Sequence, residues 1–65
     1  MKYFIPKNIG KVRVVMTLGN KYCVWNGKNG KGEFSIPCRT KQQAIDITKL
    51  INSPERPSEI EVMSK

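Results

Sequence analysis

Histidine is absent from this chain, cysteine occurs only at Cys23 and Cys38, and only five of the 65 residues are acidic. Each scarcity removes a class of function. A structural zinc site takes more cysteine and histidine ligands than one such chain offers. Acid–base catalysis needs titratable groups held close enough to split their pKa values. Glu33, Asp46, Glu55, Glu59 and Glu61 are instead scattered along the sequence, with no imidazole to act as base. The chain is therefore expected not to be an enzyme and to need no metal or cofactor. The glycines of NGKNGKG do not rescue a phosphate-loop reading, because they join two strands and lack the GxxxxGK[ST] pattern. Long apolar runs are also missing. None approaches the roughly 18 residues of a membrane span, and MKYFIPKNIG lacks the apolar centre of a secretion signal. A cytoplasmic protein with no membrane contact is expected. In that compartment the two cysteines read as small apolar side chains, able to pair only if a strand register sets them directly opposite.

What the chain does have is positive charge. Twelve Lys and Arg against five acids give +7. Residues 1–49 hold ten basic and two acidic side chains, whereas residues 50–65 hold two and three. The basic charge thus belongs to the body of the protein, where it sets up a field that draws nucleic acid or another acidic surface.

The apolar pattern predicts a small α+β domain spanning 1–65, with a core over 11–52 and a linker and tail over 53–65. KVRVVMTL (11–18) is rich in β-branched residues, and Gly19-Asn20 is a two-residue hairpin signal. Closing the hairpin there sets Val14 against Trp25 and Met16 against Cys23. With side chains alternating between faces, Val12, Val14, Met16, Cys23 and Trp25 share a dry face, and Arg13, Val15, Thr17, Tyr22, Val24 and Asn26 share a wet one. A third strand, GEFSIPC (32–38), adds Phe34, Ile36 and Cys38 to the dry face if Trp25 meets Phe34. Pro37 suits an edge. Thr40 then opens a helix through the capping box T-K-Q-Q, and Ala44, Ile47, Thr48 and Ile51 form the stripe that covers the dry face. Ile45 lies off that stripe. The expected architecture is a three-stranded antiparallel sheet packed on one face by a single C-terminal helix. KYFI (2–5) and EIEVM (59–63) read either as extra strands or as frayed termini flanking a stiff PERPSE linker.

The wet face is the candidate site. Arg13, Thr17, Tyr22, Asn26 and Ser35 would face a partner, with Lys11, Lys21, Lys28, Lys31 and Arg39 around them. Arg and Asn side chains can bond base edges, Thr can touch a thymine methyl, and loop lysines can meet phosphates. A ribbon of this size fits the major groove. Duplex DNA is favoured over RNA, because Tyr22 alone would be available for base stacking.

The hairpin KVRVVMTLGNKYCVW, the strand GEFSI and the helix entry RTKQQAI together resemble the three-stranded-sheet DNA-binding domain of phage-type tyrosine recombinases and plant ethylene-response factors. The likeness covers roughly residues 11–52. It implies that the sheet face away from the helix lies in the major groove, which on this chain means Arg13, Thr17, Tyr22 and Asn26. The chain departs from the pattern at Cys38, where the family carries an aromatic, and in having a single sheet arginine. The function expected is a small basic DNA-binding protein, an accessory or regulatory factor of a phage or mobile element. The alternative is a small phage-type inhibitor or regulator that docks an acidic surface of a host protein through the same face, with Val15, Val24 and Ile45 as apolar contacts, or by adding a strand at an edge. A homodimer fits either reading, since so small a domain leaves apolar surface uncovered.

Overall fold

The computed structural model describes residues 2–27 and 32–62. Along the chain come β1 (Lys2–Phe4), β2 (Arg13–Thr17), β3 (Lys21–Trp25), β4 (Ser35–Cys38), α1 (Lys41–Ile51) and β5 (Glu59–Glu61). The strands β2, β3 and β4 form an antiparallel sheet in that spatial order, with α1 packed on one face, and β1 pairs antiparallel with β5 in a separate ribbon. The α+β class and the three-strand, one-helix arrangement are as the pattern predicts.

The register is not. Thr17 pairs with Lys21, so Leu18, Gly19 and Asn20 make a three-residue loop in place of the two-residue turn. Gly19 (φ 81°) and Asn20 (φ 59°) both take the left-handed region, which glycine enters without strain and asparagine tolerates. Leu18 drops out of the ladder and is 97% exposed. On the other side of β3, Val24 meets Ile36 and Tyr22 meets Cys38. Both pairings differ from the expected ones by a single residue. The strands β2 and β4 therefore keep their expected faces while β3 inverts, because a slip of one moves every side chain of a strand to the other face. The physical reason is visible in the core. Val24 and Ile36 are fully buried side by side. The expected register would put an indole N–H there instead, and such a group wants a partner.

The helix begins as its capping box predicts, with one difference. Thr40 Oγ1 accepts from Gln43 N at 3.0 Å, but the Gln43 side chain reaches one residue further back, to Arg39 N at 2.8 Å. Ala44, Ile47 and Ile51 are buried against the sheet, Thr48 and Ile45 are half-buried, and Leu50 is exposed. The Thr48 hydroxyl is buried without a hydrogen-bond partner.

The helix ends in a clamp that the periodicity does not announce. Asn52 accepts from Val12 N (2.8 Å) and donates to Val12 O (2.9 Å), so one amide grips both main-chain groups at the entry to β2. Arg56 acts similarly on the N-terminal segment, its guanidinium donating to the carbonyls of Ile51, Pro6, Lys7 and Gly10. The segment 53–62 is thus more than linker and tail. β5 sets Ile60 against Tyr3, Ile5 N donates to Ser58 O, and Ile5 and Val62 join the same buried cluster as the helix stripe. Across the ribbon, Lys2 Nζ lies 3.8 Å from Glu59 Oε1.

Candidate functional site

With α1 covering the even-numbered side of the sheet, the odd-numbered side is open, and the pairing arranges it in three rows. Arg13, Trp25 and Ser35 form the first, and Val15, Cys23 and Pro37 the second. Thr17 and Lys21 form the third, with Arg39 following directly after Cys38 at that end. Strand spacing makes this surface about 10 Å across, and two residues between rows make it about 13 Å long. Arg13, Thr17, Lys21, Ser35 and Arg39 are exposed, as is Lys11 just before β2. None of the strand residues on this side is acidic. Asp46 is exposed on α1, and Glu59 and Glu61 lie on β5. Glu33 is exposed just before β4, and Lys41 and Lys49 are exposed on α1, so the basic charge is carried on both sides of the molecule.

Two of the expected contact residues are displaced by the inversion of β3. Tyr22 lies on the helix-covered side, half-buried against the core. Asn26 is used structurally, its Nδ2 donating to Ile9 O at 3.2 Å and its Oδ1 accepting from Phe34 N at 2.9 Å. An amide engaged at both ends has little left for a base edge. Val24, expected on the wet side, is fully buried. Lys28 and Lys31 lie outside the described residues. Arg13, Thr17, Lys21 and Ser35 lie on that side of the sheet, with Lys11 and Arg39 next to its strands in sequence.

Sequence reasoning places Cys23 and Trp25 wrongly on the dry side, and the one of consequence for the site is Trp25. It sits beside Arg13 in the first row, and its indole ring lies against the main chain of Gly27 and Gly32, so closely that a methyl group at either would overlap the ring. The pair of glycines around it is the signal that could mark this position, since a Cβ at Gly27 would meet the indole and one at Gly32 both the indole and the Gly27 main chain.

Cys23 belongs to the open face and Cys38 to the covered one, paired with Pro37 and Tyr22 respectively, so the two thiols are free and not opposed. Burial pushes both above the ordinary thiol value of 9.0. For Cys38 the neighbouring Cys23 adds to the rise, and a backbone hydrogen bond at Val24 works against it. Among the described residues no group of three or more His, Cys, Asp and Glu converges on a point, and no helix is long and apolar enough to cross a membrane. Between the N-terminal segment and the stretch after α1, Phe4, Pro6, Pro54 and Pro57 line a groove of about 630 Å³. Arg56 on its wall is already committed to four carbonyls.

Comparison with protein-family models, with curated proteins and with solved structures found no match for this chain.

Proposed function

We propose that the chain is a small DNA-binding protein that lays the open face of its three-stranded sheet against duplex DNA. The observation that carries this reading is the open side of the sheet, whose strands bear Arg13 and Lys21 and no acid, with Lys11 and Arg39 next to them in sequence, on a molecule of charge +7. Its width is of the order of the major groove, about 12 Å. Arg13 is the base-reading candidate, because its planar fork can bond guanine at two points. Lys11, Lys21 and Arg39 serve the phosphates, and Thr17 and Ser35 add short polar contacts. Trp25 supplies a flat apolar neighbour to Arg13. Tyr22 and Asn26, tied into the fold, hold the sheet rather than the ligand. The resemblance to the three-stranded-sheet DNA-binding domain supports the same mode of docking, and suggests an accessory or regulatory role in a phage or mobile element.

The test is fluorescence anisotropy of labelled random-sequence duplex across a salt series. The logarithm of the binding constant should fall with the logarithm of salt concentration by about 0.9 per phosphate neutralised. An affinity indifferent to salt, or no binding at low salt, overturns the proposal.

A second reading rests on the middle row, where Val15, Cys23 and Pro37 carry no charge. An uncharged strip within a basic rim also fits an acidic protein surface. In that case Val15→Asp abolishes capture of the partner while the circular dichroism spectrum is unchanged. Retention of the same partner by that variant rejects the reading.

A further inference from the structure

The two edges of the sheet are built differently. In an antiparallel ladder, successive residues of an edge strand alternate between bonding the neighbour and facing outward. The Asn26 N–H donates to Phe34 O, so Val24 and Tyr22 carry the bonds to β4, and Arg13, Val15 and Thr17 carry those from β2 to β3. The outward-facing groups of β4 thus belong to Ser35 and Pro37, and Pro37 has no N–H to offer, which blunts that edge. On β2 the outward groups belong to Val12, Val14 and Met16. Asn52 takes both groups of Val12. Among the described residues nothing comparable engages Val14 and Met16, and the segment from Val14 to Leu18 contains no charge, proline or glycine. Met16 is 62% exposed and Leu18 97%. An apolar edge without such protection is a template for another strand.

We propose that this edge pairs antiparallel with β2 of a second copy of the chain, around a two-fold axis through Val15. Val14 then faces Met16 of the second copy and the two Val15 residues face each other. Arg13 faces Thr17 of the second copy, so no two cations are opposed although each chain carries +7. The self-complementary register is what singles out a second copy as the occupant. An acidic partner would find no charge to recognise between Val14 and Leu18, whereas an isologous contact needs only a strand that matches itself. Opposed residues share a face, so the two open faces join into one six-stranded surface with both Arg13 side chains on it. Met16, on the helix-covered side, packs against Val14 of the second copy, which accounts for its exposure in the single chain.

Sedimentation equilibrium of the full chain without DNA, from micromolar to millimolar concentration, tests this. A monomer–dimer equilibrium is expected. Thr17→Glu places a carboxylate opposite Arg13 of the second copy and should tighten the dimer about fivefold, while Thr17→Lys should weaken it by a similar factor. Lys41→Gln lowers the net charge by one, as Thr17→Glu does, at an exposed position of α1 and serves as the control; it should leave the equilibrium within about twofold. Met16→Pro, which removes an outward N–H without touching the β3 ladder, should abolish the dimer. A wild-type chain that stays monomeric at millimolar concentration overturns the proposal. So does a dimer on which both Thr17 variants act alike, or on which Thr17→Glu acts no differently from Lys41→Gln.

Discussion

Single side chains carry more of this fold than its size suggests. Arg56 satisfies four carbonyls from three separate stretches of chain. Arg56→Lys keeps the charge but cannot span that fork. It should cost about 1 kcal/mol, the net worth of a hydrogen bond, because water can replace the guanidinium at the exposed carbonyls of Pro6, Lys7 and Gly10, read as a lower midpoint in urea. Thr48 presents the opposite case, a buried hydroxyl without a partner. Thr48→Val keeps the shape and removes the unmet group, so the variant should be more stable by about 1 kcal/mol. Both thiols are raised by burial, which leaves less thiolate at any given pH. Iodoacetamide at pH 8 should therefore label half-buried Cys23 slowly and buried Cys38 hardly at all until denaturant is added. Rapid native labelling of Cys38 would contradict its placement.

Among the elements, β3 decides the functional surface. One extra loop residue before it exchanges Tyr22, Val24 and Asn26 for Cys23 and Trp25 on the open side. The proposed interface inherits that exchange and makes it measurable. Arg13→Ala should relax sequence preference by about 1–3 kcal/mol per lost two-point contact. Lys21→Ala should weaken all sequences alike and lower the salt slope by about one. Tyr22→Phe should leave DNA affinity unchanged, since the ring packs against the core. A large loss of affinity from Tyr22→Phe, at unchanged stability, would restore the register that the turn dipeptide suggests. Trp25 is the single tryptophan, so its emission reports the same surface directly. It should change on DNA binding, and Gly27→Ala should shift it even without DNA by pushing the indole off the loop.

At the scale of the whole molecule, the terminal ribbon and the sheet share one core. Ile5 and Val62, near opposite ends of the chain, meet the helix stripe in one cluster. A domain this small buries about 60% of its unfolded surface, so losing either end removes a large share of what holds it together. Truncation after residue 52 takes away Arg56, β5 and Val62 together. The truncated chain should be largely unfolded at room temperature by circular dichroism, whereas a true tail would be removable with little effect.

Local chemistry determined much of this protein. β-branched runs called the strands, Thr40 and Gln43 called the helix start, and the alternation of β2 and β4 called their faces, because each of these depends on neighbours within a few residues. Charge counting located the basic character in the body of the chain for the same reason. Tertiary structure decided what depends on residues far apart. The register of β3 was settled by which side chain the helix could bury, Val24 rather than Trp25. The grips of Asn52 on Val12 and Arg56 on Gly10 span some 40 residues or more, and no pattern along the chain encodes such pairs. The open face and the free edge of β2 follow from those long-range choices: packing one helix on a thin sheet leaves one side and one edge to meet something else.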